Sequence, residues 1–255
     1  MIYKLRGVLI FLNLEQTSES KMHYCINFLK YSTFTLLILS LCGCANLSNN
    51  NNLYDPRDPL ENANRTIFKF NDAVDRTVLK PIAVGYENVI PQTIRKGVSN
   101  FFGNLSDFVT TIQHLLQFDF EKTSSSASRF IINSTVGIFG FRDVASAMGI
   151  PKTNEDFGQT MGSYGIRPGP YLVLPFFGPS TLRDGVGKVM DILVDPIQTK
   201  VRDDTARLAS NSLRVVETRA SLLSAEQAFE ALAFDRYLGV KNAYLANRKV
   251  QIDEK

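Results

Sequence analysis

Residues 169–180 read GPYLVLPFFGPS, an apolar run from Tyr171 to Phe177 that is interrupted by Pro175 and fenced by Pro170 and Pro179. Proline removes a backbone donor and crowds the preceding turn, so neither a long helix nor a central strand takes this stretch easily. Two environments suit it. A soluble core would hold it as a short buried strand or apolar loop, and a bilayer would meet it with acyl chains. The rest of the chain has to decide.

The compartment is readable from residues 31–44, YSTFTLLILSLCGC, an uncharged apolar run behind Lys30. Tyr31 to Leu41 is too short to span a bilayer but suits the apolar stretch of a signal peptide. Residues before Met22 add nothing that a signal needs, so Met22 is an alternative start. Leu41-Cys42-Gly43-Cys44 resembles the bacterial lipobox, which implies cleavage before Cys44, a diacylglycerol on its sulfur and an acyl chain on its nitrogen. Three chains, at about 0.8 kcal/mol per buried methylene, anchor far more firmly than one. Ala45 follows where, in lipoproteins of this type, an aspartate would favour retention at the inner membrane. The expected address is therefore the periplasmic leaflet of the outer membrane.

The chain's three cysteines are Cys25, Cys42 and Cys44. Only Cys44 survives cleavage, which excludes an intramolecular disulfide. Removing residues 1–43 also removes Lys4, Arg6, Lys21 and Lys30, so the net charge of +3 falls close to balance. A nucleic-acid binder needs a basic excess that is absent. Residues 44–57, rich in asparagine, read as a tether, residues 58–200 as the main domain, and residues 201–255 as C-terminal helices.

Asp58, Pro59 and Glu61 are spaced as an N-cap, a first helical residue and an acidic N3 position. Ile67, Phe70, Val74 and Val78 then step along one helical face until Pro81, which is expected to end the helix. Further helices are expected from Pro91 through Leu105, over 107–117 and over 121–136. None exceeds about 18 residues, and a dozen residues at 1.5 Å each match one leaflet of a bilayer rather than both. Gly158 and Gly162 lie four apart, which on a helix opens one face to close approach. Residues 203–223 and 225–250 read as an amphipathic helical hairpin, with Ser224 and Gln227 placed as a capping box.

Chemistry is sparse. His114 is the one histidine beyond the signal, no GxSxG elbow or phosphate cradle is present, and the pairs Glu155-Asp156 and Asp203-Asp204 sit where they complement helix dipoles. The chain reads as no enzyme, with no metal and no cofactor beyond the acyl groups on Cys44.

DPLENANRTIFKFNDAVDRTVLKPIAVGYENVIPQTIRKGVSNFFGNL at 58–105, RFIINSTVGIFGFRDVA at 129–145, EDFGQTMGSYG at 155–165 and GPYLVLPFFGPSTLRDGVG at 169–187 resemble the MlaA/VacJ family of outer-membrane lipoproteins. Asn62-Ala63, Phe118-Asp119, Tyr164 and Arg167-Pro168 depart from the family's usual residues. The resemblance implies an all-α ring of short amphipathic helices in one leaflet with an amphipathic channel through it. It further implies a porin partner, and phospholipids that leave the outer leaflet for a soluble periplasmic lipid carrier, which maintains outer-membrane asymmetry. On this reading Tyr171, Leu172, Leu174, Phe176 and Phe177 contact the channel or lipid, and Arg142, Arg167 and Arg183 are candidates for the phosphate of the head group. A lipid-anchored scaffold for porins and a phospholipid-acting hydrolase are the alternatives.

Overall fold

In a computed structural model, residues 55–230 and 235–253 are described, which leaves the signal, Cys44 and nearly all of the tether outside the described residues. Residues 53–255 form one compact unit. The first helix, α1 (Glu61–Val74), continues through a π-helical turn (Asp75–Leu79) into α2 (Lys80–Val89). Pro81 therefore does not end the helix. It falls in the first turn of α2, immediately behind the wider π turn, where its ring and missing N–H disturb the ladder least. Nor is Asp58 the N-cap. Leu60 takes that position, while Asp58 turns inward and accepts hydrogen bonds from Asn64 Nδ2 (2.8 Å), Tyr237 Oη (2.5 Å) and Lys241 Nζ (3.0 Å).

The second and third expected helices fuse into α3 (Gln92–Leu116), 25 residues and about 37 Å long. Its length therefore exceeds the one-leaflet match expected from the shorter segments. There follow α4 (Phe120–Thr135), the single turn α5 (Val144–Ala147) and α6 (Phe157–Ser163). The opening stretch is a two-stranded antiparallel hairpin, β1 (Tyr171–Leu174) and β2 (Gly178–Thr181), with Leu174 opposite Gly178. Its three-residue loop carries Pro175 outside the ladder, where a missing donor costs nothing. The chain ends in α7 (Leu182–Val194), α8 (Pro196–Lys200), α9 (Asp204–Ser221), α10 (Leu223–Glu230) and α11 (Arg236–Asp253).

The C-terminal helices do not form a hairpin on each other. α9 packs on α2 and α3, and α11 packs on α6 and β2. Ser224 lies inside α10, and the last helix is capped instead by Asp235, whose Oδ1 accepts from Leu238 N–H at 3.2 Å. Contacts between elements close a circuit: α1 meets β1, β2 meets α7, α7 meets α6, α6 meets α3, α3 meets α9, α9 meets α2, and α2 returns through the π turn to α1.

Burial is inverted relative to a soluble fold. Among the described residues nine apolar side chains are buried, against seventeen polar or charged ones, while thirty-two large apolar side chains are exposed. A soluble domain reverses those proportions. α7 shows the pattern in one helix: Leu182, Val186, Val189 and Leu193, spaced four, three and four, are exposed, whereas Asp184 is buried and Lys188 and Asp191 are half-buried. No described helix is long and apolar enough to cross a membrane.

Candidate functional site: an amphipathic cavity within the helical circuit

A cavity of about 480 Å³ is lined by five helices, α3, α6, α7, α9 and α11, and by three connecting segments, at 154–156, 177 and 195. Its apolar wall is Leu105 and Val109 of α3, Ile192 of α7 and Phe177 of the hairpin loop. Its polar wall is Glu155, Asp156, Lys188, Asp191, Asp195 and Arg214. The two walls suit a molecule with one oily and one charged end.

Each polar group is held by its neighbours. Asp156 caps α6, accepting from Gln159 N–H at 2.9 Å, as the acidic pair at 155–156 predicts. Its carboxylate also receives both terminal nitrogens of Arg248 at 2.7 Å. Arg248 reaches on to Asp184 (3.1 Å), a buried carboxylate that also accepts from Tyr244 Oη (2.7 Å) and Arg183. Burial opposes ionisation of Asp184, but these donors outweigh it and hold its pKa down to about 2. Asp191 is the reverse case. Burial and the nearby Asp156 charge push it up to about 6, although Phe157 N–H (3.0 Å) and Gln113 Nε2 (3.1 Å) donate to it. Lys188 is pushed down by burial and then by Arg248, while its Nζ donates to the carbonyls of Pro179 (3.2 Å) and Phe177 (3.4 Å). Arg214 pairs with Asp195 at 2.5 Å and lies over the Phe102 ring, leaving its Nε with no protein acceptor.

Glycine makes the close approach of α6 and α7 possible. A Cβ on Gly187 would lie 2.4 Å from Gly158 N, and one on Gly158 would lie 2.6 Å from Asp184 Oδ1. Gly162 opens the same face, where a Cβ would meet Ile252 Cδ1 at 2.8 Å. The 158/162 spacing thus serves packing around an ion network rather than an apolar helix pair.

Of the residues singled out from the sequence, Phe177 lines the cavity. Tyr171 does not; its ring is 1% exposed, packed against Tyr237 and Tyr244, because alternation along β1 turns it and Val173 inward. Leu172 and Leu174 are half-buried, and Phe176 is exposed at the hairpin tip, edge-on to Phe70. Arg183 is no free head-group contact either: it is buried, spent on Asp184 and the Ile166 carbonyl. Arg142 and Arg167 are exposed and lie outside the cavity lining. His114 is buried with its Nε2 3.0 Å from Thr153 Oγ1, a packing role. Among the described residues no group of acidic, histidine or cysteine side chains is arranged to hold a metal. Lys188, Asp191, Asp195 and Arg214 were not picked out by motif, yet a signal existed: Asp184, Lys188, Asp191 and Asp195 step by four, three and four, a polar stripe on an apolar helix.

A family model described as MlaA lipoprotein matches residues 56–251. The chain belongs to the MlaA lipoprotein family. It is 36% identical over 221 residues to the intermembrane phospholipid transport system lipoprotein MlaA of Shigella flexneri, covering 85% of this chain and 86% of that one. Its identity to the protein of the same name in Escherichia coli K12 is 35% over 221 residues. An uncharacterised protein of Rickettsia conorii is 39% identical over 158 residues, 62% of this chain and 63% of that one, so the match spans under two thirds of that relative. A solved structure described as "Structural basis for maintenance of bacterial outer membrane lipid asymmetry" is similar with a TM-score of 0.67 at 31% identity, covering 76% of this chain and 98% of the other. At that identity and TM-score the two chains share one mostly helical fold.

Proposed function

We propose that this MlaA family member is an outer-membrane lipoprotein, anchored through acyl groups on Cys44 and seated in the periplasmic leaflet, that withdraws phospholipid from the outer leaflet. The lipid passes through the cavity to a soluble periplasmic carrier, and a porin holds the protein in place. The single observation that carries this reading is the inverted burial around a two-walled cavity: apolar side chains face outward where acyl chains are the solvent, and charged ones face inward. Lys188 and Arg214 are the cations on the polar wall, and they replace the exposed Arg142 and Arg167 and the buried Arg183 as the groups facing a phosphate. Leu105, Val109, Ile192 and Phe177 face the acyl chains. The relatives' names describe a transport lipoprotein rather than an enzyme, and a scaffold alone has no need of such a cavity.

The test is purification of the full chain in mild detergent with mass spectrometry of what stays bound. Phospholipid at near one per protein is expected, with at least a tenfold loss in Lys188→Glu, Arg214→Glu at unchanged yield. Equal lipid in the double variant refutes the head-group assignment, and absence of lipid from the parent protein refutes the transport reading. Recovery of lysophospholipid after incubation with labelled lipid would instead establish the hydrolase.

A further inference from the structure

The charges on the cavity's polar wall do not balance. Glu155, Asp156, Asp191 and Asp195 supply four carboxylates against the two cations Lys188 and Arg214. Asp195 pairs with Arg214, and both oxygens of Asp156 receive Arg248, which is committed to Asp184 as well. Glu155 accepts from Gln117 Nε2 at 3.0 Å. Asp191 is held by uncharged donors. Gln113 Nε2 (3.1 Å) and Phe157 N–H (3.0 Å) both fall on its Oδ1, whereas its Oδ2 takes only the longer branch from Phe157 N–H, at 3.3 Å. A carboxylate accepts at about four lone-pair positions, so Oδ2 has room for a further donor. Lys188 stands three residues earlier on α7, which places the two Cβ atoms about 5–6 Å apart on one face. Its Nζ donates to the carbonyls of Pro179 and Phe177, and an ammonium has a further hydrogen beyond those two. One face of α7 therefore carries a cation with a donor to spare and, a turn later, a carboxylate with no cation of its own.

We infer that Asp191 selects the head group: its Oδ2 accepts the ammonium of a phosphatidylethanolamine whose phosphate lies at Lys188, so the cavity prefers a zwitterionic lipid to an anionic one. This rests on the lipid-transport reading and names its substrate. In that head group a short ethylene bridge joins phosphate to ammonium, a span that suits two side chains on adjacent turns of one helix. Phosphatidylglycerol offers the same phosphate with hydroxyls and no positive charge. It would add its negative charge to a wall already in acidic excess, where the low-dielectric surroundings strengthen repulsion. Burial and the Asp156 charge push the Asp191 pKa up to about 6. A bound ammonium opposes both effects and expels the proton. The charged groups around Asp191 are Glu155 and Asp156 ahead of α6, Arg248 of α11, Arg214 of α9, and Lys188 and Asp195 of its own stripe, while α3 presents the uncharged Gln113.

The full lipidated chain in mild detergent is offered equal amounts of phosphatidylethanolamine and phosphatidylglycerol with the same acyl chains, and the bound lipids are counted by mass spectrometry. The parent protein should retain phosphatidylethanolamine in excess by about tenfold or more at about pH 7.5, as one charge-assisted hydrogen bond allows. That excess should shrink toward parity at about pH 5, where Asp191 is protonated, and in Asp191→Asn at either pH. Equal retention by the parent overturns the inference and leaves the transport reading standing. So does an excess that Asp191→Asn leaves intact, which is the result for a carboxylate that only ties α6 to α7. Retention of neither lipid overturns both. If Asp191→Asn does not accumulate, the parent decides by itself. Calorimetric titration at about pH 6 with dihexanoyl lipids, in buffers of different ionisation heat, should show proton release with phosphatidylethanolamine and not with phosphatidylglycerol; the same proton exchange with both overturns the assignment. Glycerophosphoethanolamine, the same head group without acyl chains, should displace no bound lipid. Displacement by it would assign the site to the free head group and overturn the lipid as substrate.

Discussion

Gly187→Ala should separate α6 from α7, and the structure sets the size of the effect. The new Cβ would lie 2.4 Å from Gly158 N, 2.8 Å from its Cα and 3.2 Å from Phe157 C. All three are backbone atoms, so no rotamer change relieves the clash, and the helices must part by about 1 Å, an overpacking cost of about 1–3 kcal/mol. The same movement stretches the bond from Phe157 N–H to Asp191, now 3.0 Å, and loss of a hydrogen bond to a charged group adds about 1.5–3 kcal/mol. Better helix propensity returns about 1 kcal/mol. The net loss is about 1.5–5 kcal/mol, or roughly 3–20 °C in melting temperature for a domain of this size. Gly185→Ala, two residues earlier in the same helix, is the control. Its Cβ would meet Ser180 Oγ at 3.7 Å and Leu174 Cδ1 at 3.8 Å, ordinary contacts, so propensity alone acts and the variant should melt about 2 °C higher. Thermal unfolding followed by circular dichroism in mild detergent measures both. If the two variants shift in the same direction, the close backbone crossing is not where the structure places it.

Lys241→Met should cost about 3–5 kcal/mol, because it strips the buried Asp58 carboxylate of its cation and leaves only Tyr237 and Asn64 as donors; lowered steady-state abundance and melting temperature are the readouts. Asp191 should make stability depend on pH in the sense opposite to most carboxylates. Its pKa is raised from 3.8 to about 6, so the native state holds the proton more tightly than the unfolded chain, and stability declines as pH rises from about 4 to 6 and is flat above. Two units correspond to about 2.7 kcal/mol, and solvent reaching the half-buried group reduces this to about 1 kcal/mol. Asp191→Asn should remove that slope, and an unchanged slope would assign it elsewhere. Cys44→Ala should abolish acylation, and a variant that metabolic labelling with a palmitate analogue still marks would refute the lipobox assignment.

The helices were legible because caps and periodicity are local. Asp119, Asp143, Asp156, Thr181 and Asp203 all accept from backbone N–H groups at helix starts, as such residues should. Asp58 carries the same local signal but is diverted by Tyr237 and Lys241, nearly 180 residues away, which no cap rule contains. Pro81 was misread for a related reason: a π turn three-dimensionally supported by Arg219, which pairs with Asp75 at 2.6 Å, lets the helix run on. The hairpin hid behind Pro175, because a breaker inside an apolar run marks a loop tip as readily as it excludes a strand. Phe177 reached the cavity while Tyr171 did not, because Phe177 lies in the loop beyond β1 and Tyr171 on the inward face of that strand, a difference that depends on knowing where the strand ends.

One property is not local: the direction in which an apolar stripe faces. Periodicity locates an apolar stripe but does not say whether the stripe faces protein or solvent, and the usual assumption is protein. Here Asn104, Asp107, Thr110 and His114 of α3, and Ser126, Arg129 and Asn133 of α4, are buried at helical spacing. Arg129 joins them, bonding Asp107 (3.3 Å), Asp143 (3.0 Å), Ser146 Oγ (3.0 Å) and the Ile150 carbonyl (2.8 Å). Burial drives the Asp107 pKa upward, while its partners drive that of Asp143 downward. In water such a network barely breaks even against an apolar core, since desolvation offsets attraction. An outer face such as Leu182, Val186, Val189 and Leu193 would meanwhile lose the burial that stabilises most folds. Surrounded by acyl chains the balance changes: the apolar face is solvated where it lies, and an unpaired polar group has no water to fall back on. A sequence whose helices carry two stripes, one apolar and one with charges at the same spacing, therefore specifies its solvent along with its fold. For α7 the second stripe, Asp184 to Asp195, also builds the cavity: Lys188, Asp191 and Asp195 line it, and Asp184 holds Arg248, which in turn holds Asp156 of the lining.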